Sequence, residues 1–308
     1  MNCLVLGGTG FIGTNLCQRL IKEGHKIKVF ARNNFDNSII NFKNIEFIQS
    51  EFNEYVDFEK CLDSIDMVFH LISTTVPSTS NEDRVFDLYS NVIPTLKLLD
   101  ACVKKNIKKI VFLSSGGTVY GIPKEIPINE EHPTNPICSY AIQKLTIEKY
   151  LHFYFCQFGL DYSIIRLSNP YGIGQVGNRG QGVVPIFMNH IMKNEPITIW
   201  GDGSVTRDYI YIDDVSDAIT RIMNYSGETR LFNIGSGYGL TLIDVANKIA
   251  EVIGRSCEIK FLEARKIDVN TNVLNIDKAM KELEWKPLIT FDEGISKFYD
   301  YIKVNEEI

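Results

Sequence analysis

A doubly wound α/β fold, with a parallel sheet covered by helices on both faces, follows from two patterns in this 308-residue chain. Short β-rich runs alternate with amphipathic stretches through the first half, and a glycine-rich turn, GGTGFIG at residues 7–13, follows the first run and opens the first helical stretch. Alternation of this kind implies right-handed βαβ units.

The strand series reads CLVLG, KIKVFA, IEFIQ, MVFHLI and KIVFLSS, with a helix after Gly13 and another through NVIPTLKLLDACVKK. LDYSIIRLS, residues 160–168, continues the series after a long helix from about Tyr140 to Phe158. The texture then changes to Gly- and Pro-rich loops such as NPYGIGQVGNRGQG, which belong on a surface near ligand. With no repeat and no Gly/Ser linker, a second lobe is expected to be interleaved with the first. The expected division is a dinucleotide-binding domain over 1–165 with returns near 205–235, and a smaller α/β substrate-binding lobe mainly over 166–308. The long helix carries apolar residues on more than one face, among them Ile142, Tyr150, Phe153 and Phe158, which predicts a second packing partner and hence a homodimer.

Hydrophobic residues at 44% and charged residues at 23% suit a globular enzyme. No apolar run approaches the roughly 20 residues of a membrane span. The opening MNCLVLGGTG enters a strand without the features of a secretory signal, so a cytoplasmic location is expected. A net charge of −6 argues against broad nucleic-acid binding. Seven cysteines without a C-x-x-C spacing, and five scattered histidines, point to neither a disulfide framework nor a metal site.

Gly7, Gly10 and Gly13 allow a tight turn, close approach of backbone amides to a pyrophosphate, and close helix packing at a positive N-terminus. The second strand would deliver an acidic residue to the adenosine ribose of NAD, but KIKVFARNN ends in Ala31 and Arg32. Arg32 either stacks on adenine, pairs with a 2′-phosphate, or is a solvated loop charge, so NADP stays open beside NAD. Glu51 is a candidate acceptor for the adenine amine. In SYAIQK, Tyr140 and Lys144 are four apart and share a helical face, the spacing either of two surface side chains one turn apart or of a phenol and an ammonium that favours its ionisation.

Six motifs in order, GGTGFIG, SSGGTVYG, SYAIQK, RLSNPYG, IWGDGSVTRDYIYIDD and RKIDVNTNVLNIDKA, make the chain resemble the extended short-chain dehydrogenase/reductase superfamily. It is most similar to the NAD-dependent epimerase/dehydratase family, of UDP-glucose 4-epimerase type, from Met1 to about residue 300. The resemblance implies a Rossmann-type fold, with Tyr140 as catalytic base and Lys144 holding the nicotinamide ribose. Lowering a tyrosine from a reference pKa near ~10 by about three pH units corresponds to about 4 kcal/mol, which the neighbouring ammonium and the cofactor cation are expected to supply.

The family's Ser or Thr that bonds the reacting hydroxyl aligns with Gly116, a departure that leaves Ser115 and Thr118 as the available hydroxyls. The Thr-Asp-Glu of related dehydratases is missing, which disfavours dehydration. On the cofactor side the resemblance places Phe11, Ile12, Phe52, Leu71, Ile72 and Asn91. Ser73 and Thr75 face cofactor or sugar, and His70 reads as a buried strand residue. For the substrate, Asn169, Arg207 and Arg265 would meet the diphosphate, Trp200 would stack on the base, and Val183 and Val184 would complete that pocket. Asp268 would contact the ribose, and Asn272 would leave room for a 2-acetamido group.

These implications converge on a nucleotide-sugar 4-epimerase with bound NAD, acting on a UDP-hexose or UDP-N-acetylhexosamine through a transient 4-keto sugar. The alternatives are an NADP-dependent 4-ketosugar reductase, motivated by Arg32, and a catalytically silent dinucleotide-sensing regulator, motivated by Gly116.

Overall fold

The computed structural model describes residues 1–33, 45–175, 182–263 and 269–306. In chain order the elements are β1 (Asn2–Leu6), α1 (Phe11–Lys22), β2 (Lys26–Ala31), β3 (Ile45–Gln49), α2 (Phe58–Cys61), β4 (Met67–His70), α3 (Arg84–Lys104), β5 (Lys109–Ser115), α4 (Ser139–Phe158) and β6 (Tyr162–Leu167). They continue with β7 (Asn169–Tyr171), α5 (Val183–Met192), β8 (Ile197–Trp200), β9 (Thr206–Tyr211), α6 (Ile212–Asn224), β10 (Leu231–Ile234), β11 (Gly239–Thr241) and α7 (Leu242–Ile253). The last are β12 (Ile259–Leu262), β13 (Thr271–Asn272), α8 (Asp277–Glu282) and α9 (Phe291–Glu306).

The chain forms two compact units, Met1–Gly121 with Pro133–Arg166 and Ser216–Phe232, and Ile122–His132 with Leu167–Val215 and Asn233–Ile308. The first is built on a seven-stranded sheet in the order β10-β6-β5-β4-β1-β2-β3. β1 pairs in parallel with β2, Leu6 opposite Phe30, and with β4, Leu6 opposite His70. The strand order therefore reverses between β1 and β4, and in a doubly wound sheet the crevice beyond the carboxyl ends of such strands is where ligands bind. Strands buried on both faces need continuous apolar runs, and β1, β4 and β5 supply Leu4, Leu6, Val68, Ile110 and Phe112, all at 0% exposure.

Two helix starts lie earlier than the sequence pattern suggests. Gly10 is extended and caps α1, so Gly13 falls within its first turn. Asp83 caps α3 by accepting from the Phe86 amide at 2.9 Å, which brings Asp87 into the helix ahead of Asn91.

The second unit holds a four-stranded sheet, β11-β9-β13 with β7 also on β9, and a β8/β12 pair. Asp208 is buried beneath it and accepts from the amides of Ser236 at 2.7 Å and Leu274 at 3.2 Å. Threonine 241 and Asp244 form a reciprocal capping box at the start of α7. Among the described residues, no helix is long and apolar enough to cross a membrane, and no group of three or more His, Cys, Asp or Glu is placed to hold a metal ion.

Candidate functional site

The glycine turn occupies the switch point. Gly7 has φ +81°, a left-handed value that glycine adopts without penalty, and its position faces Ile72, whose Cγ1 would lie 3.2 Å from any added Cβ. A Cβ on Gly13 would stand 2.2 Å from the Gly7 carbonyl oxygen, so only glycine lets α1 pack this closely. At Gly10 an added Cβ meets only that same oxygen, at 3.3 Å, leaving its other side open. No side chain caps α1 and no acidic residue lies in its first turn, so Phe11, Ile12 and Gly13 form a positive helix end left to an anion. This turn fits the pyrophosphate of a dinucleotide.

Leu71 follows β4 and its amide donates to the Leu6 carbonyl at 3.1 Å, which sets Leu71 and Ile72 beside the turn. Arg32 and Glu51 are exposed beyond the ends of β2 and β3. The Phe52 ring is instead a core group, 5.7 Å from Phe58 and 5.2 Å from His70 between ring centres, so only its backbone is available to a ligand.

His70 closes β4. Its Nε2 lies 2.9 Å from Thr95 Oγ1, and that hydroxyl donates at 2.6 Å to the Asn91 carbonyl, so Nε2 carries the hydrogen. Burial and the nearby Lys144 charge lower its pKa to about 3, which keeps it neutral and agrees with a structural role. Asn91 pins the loop after β4: its Oδ1 accepts from the Thr74 amide at 2.9 Å and its Nδ2 donates to Thr74 Oγ1 at 2.7 Å. Ser73 Oγ donates to the Thr75 carbonyl at 2.9 Å, while Thr75 Oγ1 makes a short hydrogen bond to Asp87. The Thr75 hydroxyl is thus committed within the protein.

α4 delivers Tyr140 and Lys144 to the carboxyl end of β5. Ser115, the last residue of β5, hydrogen-bonds Tyr140, which lowers the phenol pKa, whereas Thr118 Oγ1 is buried without a partner. Lys144 is 3% exposed; its Nζ donates to the Leu113 carbonyl at 2.9 Å and lies 5.7 Å from the Tyr140 ring centre. The expected drop in the phenol pKa is not produced by these groups. Burial, with smaller contributions from Cys138 and Asp87, pushes Tyr140 up to about 12 against the Ser115 bond. Burial also lowers Lys144 to about 8, opposed by Glu148 and Asp87. Desolvation is the largest effect on each group: Lys144 is buried, and Tyr140, though only half-buried, loses much of its contact with water.

Two contacts here are not anticipated in the sequence reading. Asp87 receives Ser139 Oγ at 2.6 Å, immediately before Tyr140. Glu148, one turn beyond Lys144, accepts from Ser114 Oγ and from Arg166 on β6, the latter at 2.7 Å from Nη2. The i, i+4 spacing of Glu148 from Lys144 could have marked it; Asp87 falls in a stretch without recognisable chemistry.

In the second unit, the register of β9 gathers three predicted substrate residues. Arg207 pairs with Asn272 on β13, and Tyr209 with Asn169 on β7. Positions two apart on a strand share a face, so Asn169, Arg207 and Asn272 lie on one side of the sheet while Asp208 points to the other. Arg207 Nη1 donates to the Thr206 carbonyl at 2.9 Å and Asn169 Nδ2 to the Asp208 carbonyl at 2.9 Å. Trp200, at the end of β8, is 40% exposed, which rules out simple core packing of its ring. Val183 is half-buried and Val184 buried at the start of α5. Arg265 and Asp268 lie outside the described residues.

A reversed sheet with an uncapped glycine turn, and a tyrosine and a lysine sharing a helix face beside it, define a dinucleotide-dependent enzyme. The model of the NAD dependent epimerase/dehydratase family matches residues 3–235, and the chain belongs to that family. A putative UDP-glucose 4-epimerase of Methanocaldococcus jannaschii is 34% identical over 307 residues, covering 98% of each chain. A dTDP-4-dehydro-6-deoxyglucose reductase of Escherichia coli is 32% identical over 311 residues, covering 97% of each. Among solved structures, the UDP-glucose 4-epimerase of Thermotoga maritima, crystallised with UDP-glucose, superposes with a TM-score of 0.94 at 33% identity, covering 99% of this chain and 100% of that one.

Proposed function

We propose that this chain is an NAD-dependent nucleotide-sugar 4-epimerase acting on a UDP-hexose or UDP-N-acetylhexosamine. The observation that carries the reading is the Ser115–Tyr140 hydrogen bond beside Lys144, at the carboxyl end of a central strand. NAD held at the glycine turn would accept hydride from the sugar C4 and return it, and its cationic ring would favour the Tyr140 phenolate.

Gly7, Gly10, Phe11, Ile12 and Gly13 hold the pyrophosphate, while Arg32, Glu51, Phe52, Leu71, Ile72 and Asn91 serve or support the adenosine and nicotinamide ends. Tyr140 Oη takes the proton of the 4-hydroxyl and later returns it, with the Ser115 hydroxyl orienting the phenol. The unpartnered Thr118 Oγ1 is the second hydroxyl available to the sugar. Lys144, fixed on the Leu113 carbonyl, bonds the nicotinamide ribose. Asn169 and Arg207 bind the diphosphate, with Arg265 beside them. Trp200, Val183 and Val184 hold the base, Asp268 the ribose, and Asn272 admits a 2-substituent on the sugar. Thr75 acts on the substrate side through its backbone and through Asp87.

Val85, Phe86, Leu88 and Tyr89 on α3, and Ile142, Phe153 and Phe158 on α4, are exposed apolar side chains in the first unit. A second copy covering them makes the protein a homodimer; a monomeric mass by light scattering at micromolar concentration would sink that assignment. A cytoplasmic location accompanies this reading.

The test is to identify the dinucleotide released on denaturation and to incubate the native protein with a UDP-sugar panel. Bound NAD, 4-epimer formation and no net change in reduced cofactor are expected, with turnover lost in Tyr140→Phe. Consumption of NADPH with a keto sugar, and no epimer, would replace the epimerase with the reductase.

A further inference from the structure

Asp87 enters the roles above only as the partner of Thr75, yet it is fully buried, at 0% exposure, next to the reacting pair. Three elements meet on its carboxylate. Thr75 Oγ1, from the loop after β4, donates to Oδ1; Asn91 Nδ2, one turn along α3, donates to Oδ1 at 3.3 Å; and Ser139 Oγ, the first residue of α4, donates to Oδ2 at 2.6 Å. The Ser139 amide is held as well, donating to Asn81 Oδ1 at 3.0 Å. No side chain caps α4 at Cys138, so these two bonds set where the helix begins, one residue before Tyr140.

The partners of Asp87 are neutral hydroxyls and an amide. This sets it apart from Glu148, the other buried carboxylate near Lys144, whose charge is met by the Arg166 guanidinium at 2.7 Å. A buried charge that is hydrogen-bonded but not ion-paired projects its field through a weakly screening interior.

Resting on the reading of Tyr140 and Lys144 given above, we infer that Asp87 is a positioning residue for that pair: it anchors the start of α4 through Ser139 and supplies the negative charge that both groups face. The titratable and charged groups around them are Cys138 and Glu148 on or beside α4, His70 on β4 and Asp87 on α3, with the Ser115 hydroxyl on β5. The Asp87 charge acts in one direction on both, raising the pKa of Tyr140 and that of Lys144. It holds the lysine protonated and resists early loss of the phenolic proton. A residue that served only as a tether would move neither.

Asp87→Asn separates charge from shape. Oδ1 still accepts from Thr75 and Asn91, and the new amide nitrogen donates to Ser139, whose hydroxyl turns to accept. Interconversion of UDP-glucose and UDP-galactose by the NAD-loaded protein is measured across pH, and Cζ-labelled tyrosine NMR follows Tyr140 directly, its signal assigned by its loss in Tyr140→Phe. The expected result is that both limbs of the rate profile, and the Tyr140 midpoint, move to lower pH by about one pH unit. Ser139→Ala cuts one tether and keeps the charge, so its rate falls with the limbs unmoved. Limbs and midpoint that stay in place in Asp87→Asn, or that move equally in Ser139→Ala, would overturn the inference. If the unaltered protein does not interconvert these sugars, the epimerase reading fails, while the NMR midpoint still decides the role of Asp87.

Discussion

Lys144 Nζ lies 5.7 Å from the centre of the Tyr140 ring and gives a hydrogen bond at 2.9 Å to the Leu113 carbonyl. The ammonium is therefore anchored to the sheet and not to the phenol. Its burial has a thermodynamic signature. Lys144 titrates at about 8 in the folded protein, whereas a lysine in the unfolded chain titrates near ~10.4. Between those values the unfolded chain holds a proton that the folded protein has released, so stability rises with pH through this window. It is lowest, and level for this group, below pH 8. The gain is about 3 kcal/mol, and Lys144→Met should lack it. Urea midpoints at the two ends of the window, compared between protein and variant, test this; an equal rise in Lys144→Met would exclude Lys144 as its source.

Two glycines of the turn should separate folding from cofactor binding. In Gly13→Ala the methyl falls 2.2 Å from the Gly7 oxygen and 2.7 Å from Gly8 Cα, both backbone atoms. Relief requires α1 to move, at a cost of about 1–3 kcal/mol or more, so both the melting temperature and NAD retention should fall. In Gly10→Ala the methyl meets only the Gly7 oxygen at 3.3 Å and φ is already −78°, so the melting temperature should hold while NAD retention on gel filtration drops. Equal losses of stability would contradict this division.

Trp200 is exposed at the end of β8, so its removal leaves the core intact. Loss of base stacking is worth about 0.5–1.5 kcal/mol beyond area burial, so Trp200→Ala should raise KM for the UDP-sugar by roughly 10-fold with kcat and melting temperature little changed. Titration calorimetry with UDP alone should show the same weakening; unchanged affinity would remove the tryptophan from the base site.

The Glu148–Arg166 pair is 4–5% exposed at its side chains, and Arg166 also stands 4.8 Å over the Tyr120 ring. Glu148→Gln leaves a buried guanidinium without its counter-charge and should cost about 3–5 kcal/mol. Adding Arg166→Met should recover much of that loss, because a neutral apolar group needs no partner. A double variant less stable than Glu148→Gln alone would show that the arginine is held by the aromatic ring instead.

Much of this architecture was legible as local pattern. The alternation of apolar strands with amphipathic helices, the glycines at 7, 10 and 13, and the four-residue interval from Tyr140 to Lys144 are properties of a few adjacent residues. Backbone geometry turns each into structure without reference to distant parts of the chain. KIVFLSS is β5 to the residue, and the helix expected from about Tyr140 begins at Ser139. The capping aspartate at 83, which carries α3 back over Asp87, is also a local signal, but it was hidden by the stronger apolar rhythm that follows Asn91.

Which side chains meet, and which charge state their surroundings favour, depends on contacts between distant parts of the chain. Ser115 rather than Thr118 reaches Tyr140, Thr75 is committed to Asp87, Ser139 joins α4 to α3, and Arg166 comes to Glu148 from a neighbouring strand. Strand order, which no short-range period encodes, brings these residues together. The upward push on Tyr140 and the downward push on Lys144 likewise depend on desolvation, a property of everything packed around a group. Local pattern thus sets the elements and the candidate chemistry, while three-dimensional packing sets the hydrogen bonds and the field in which that chemistry works.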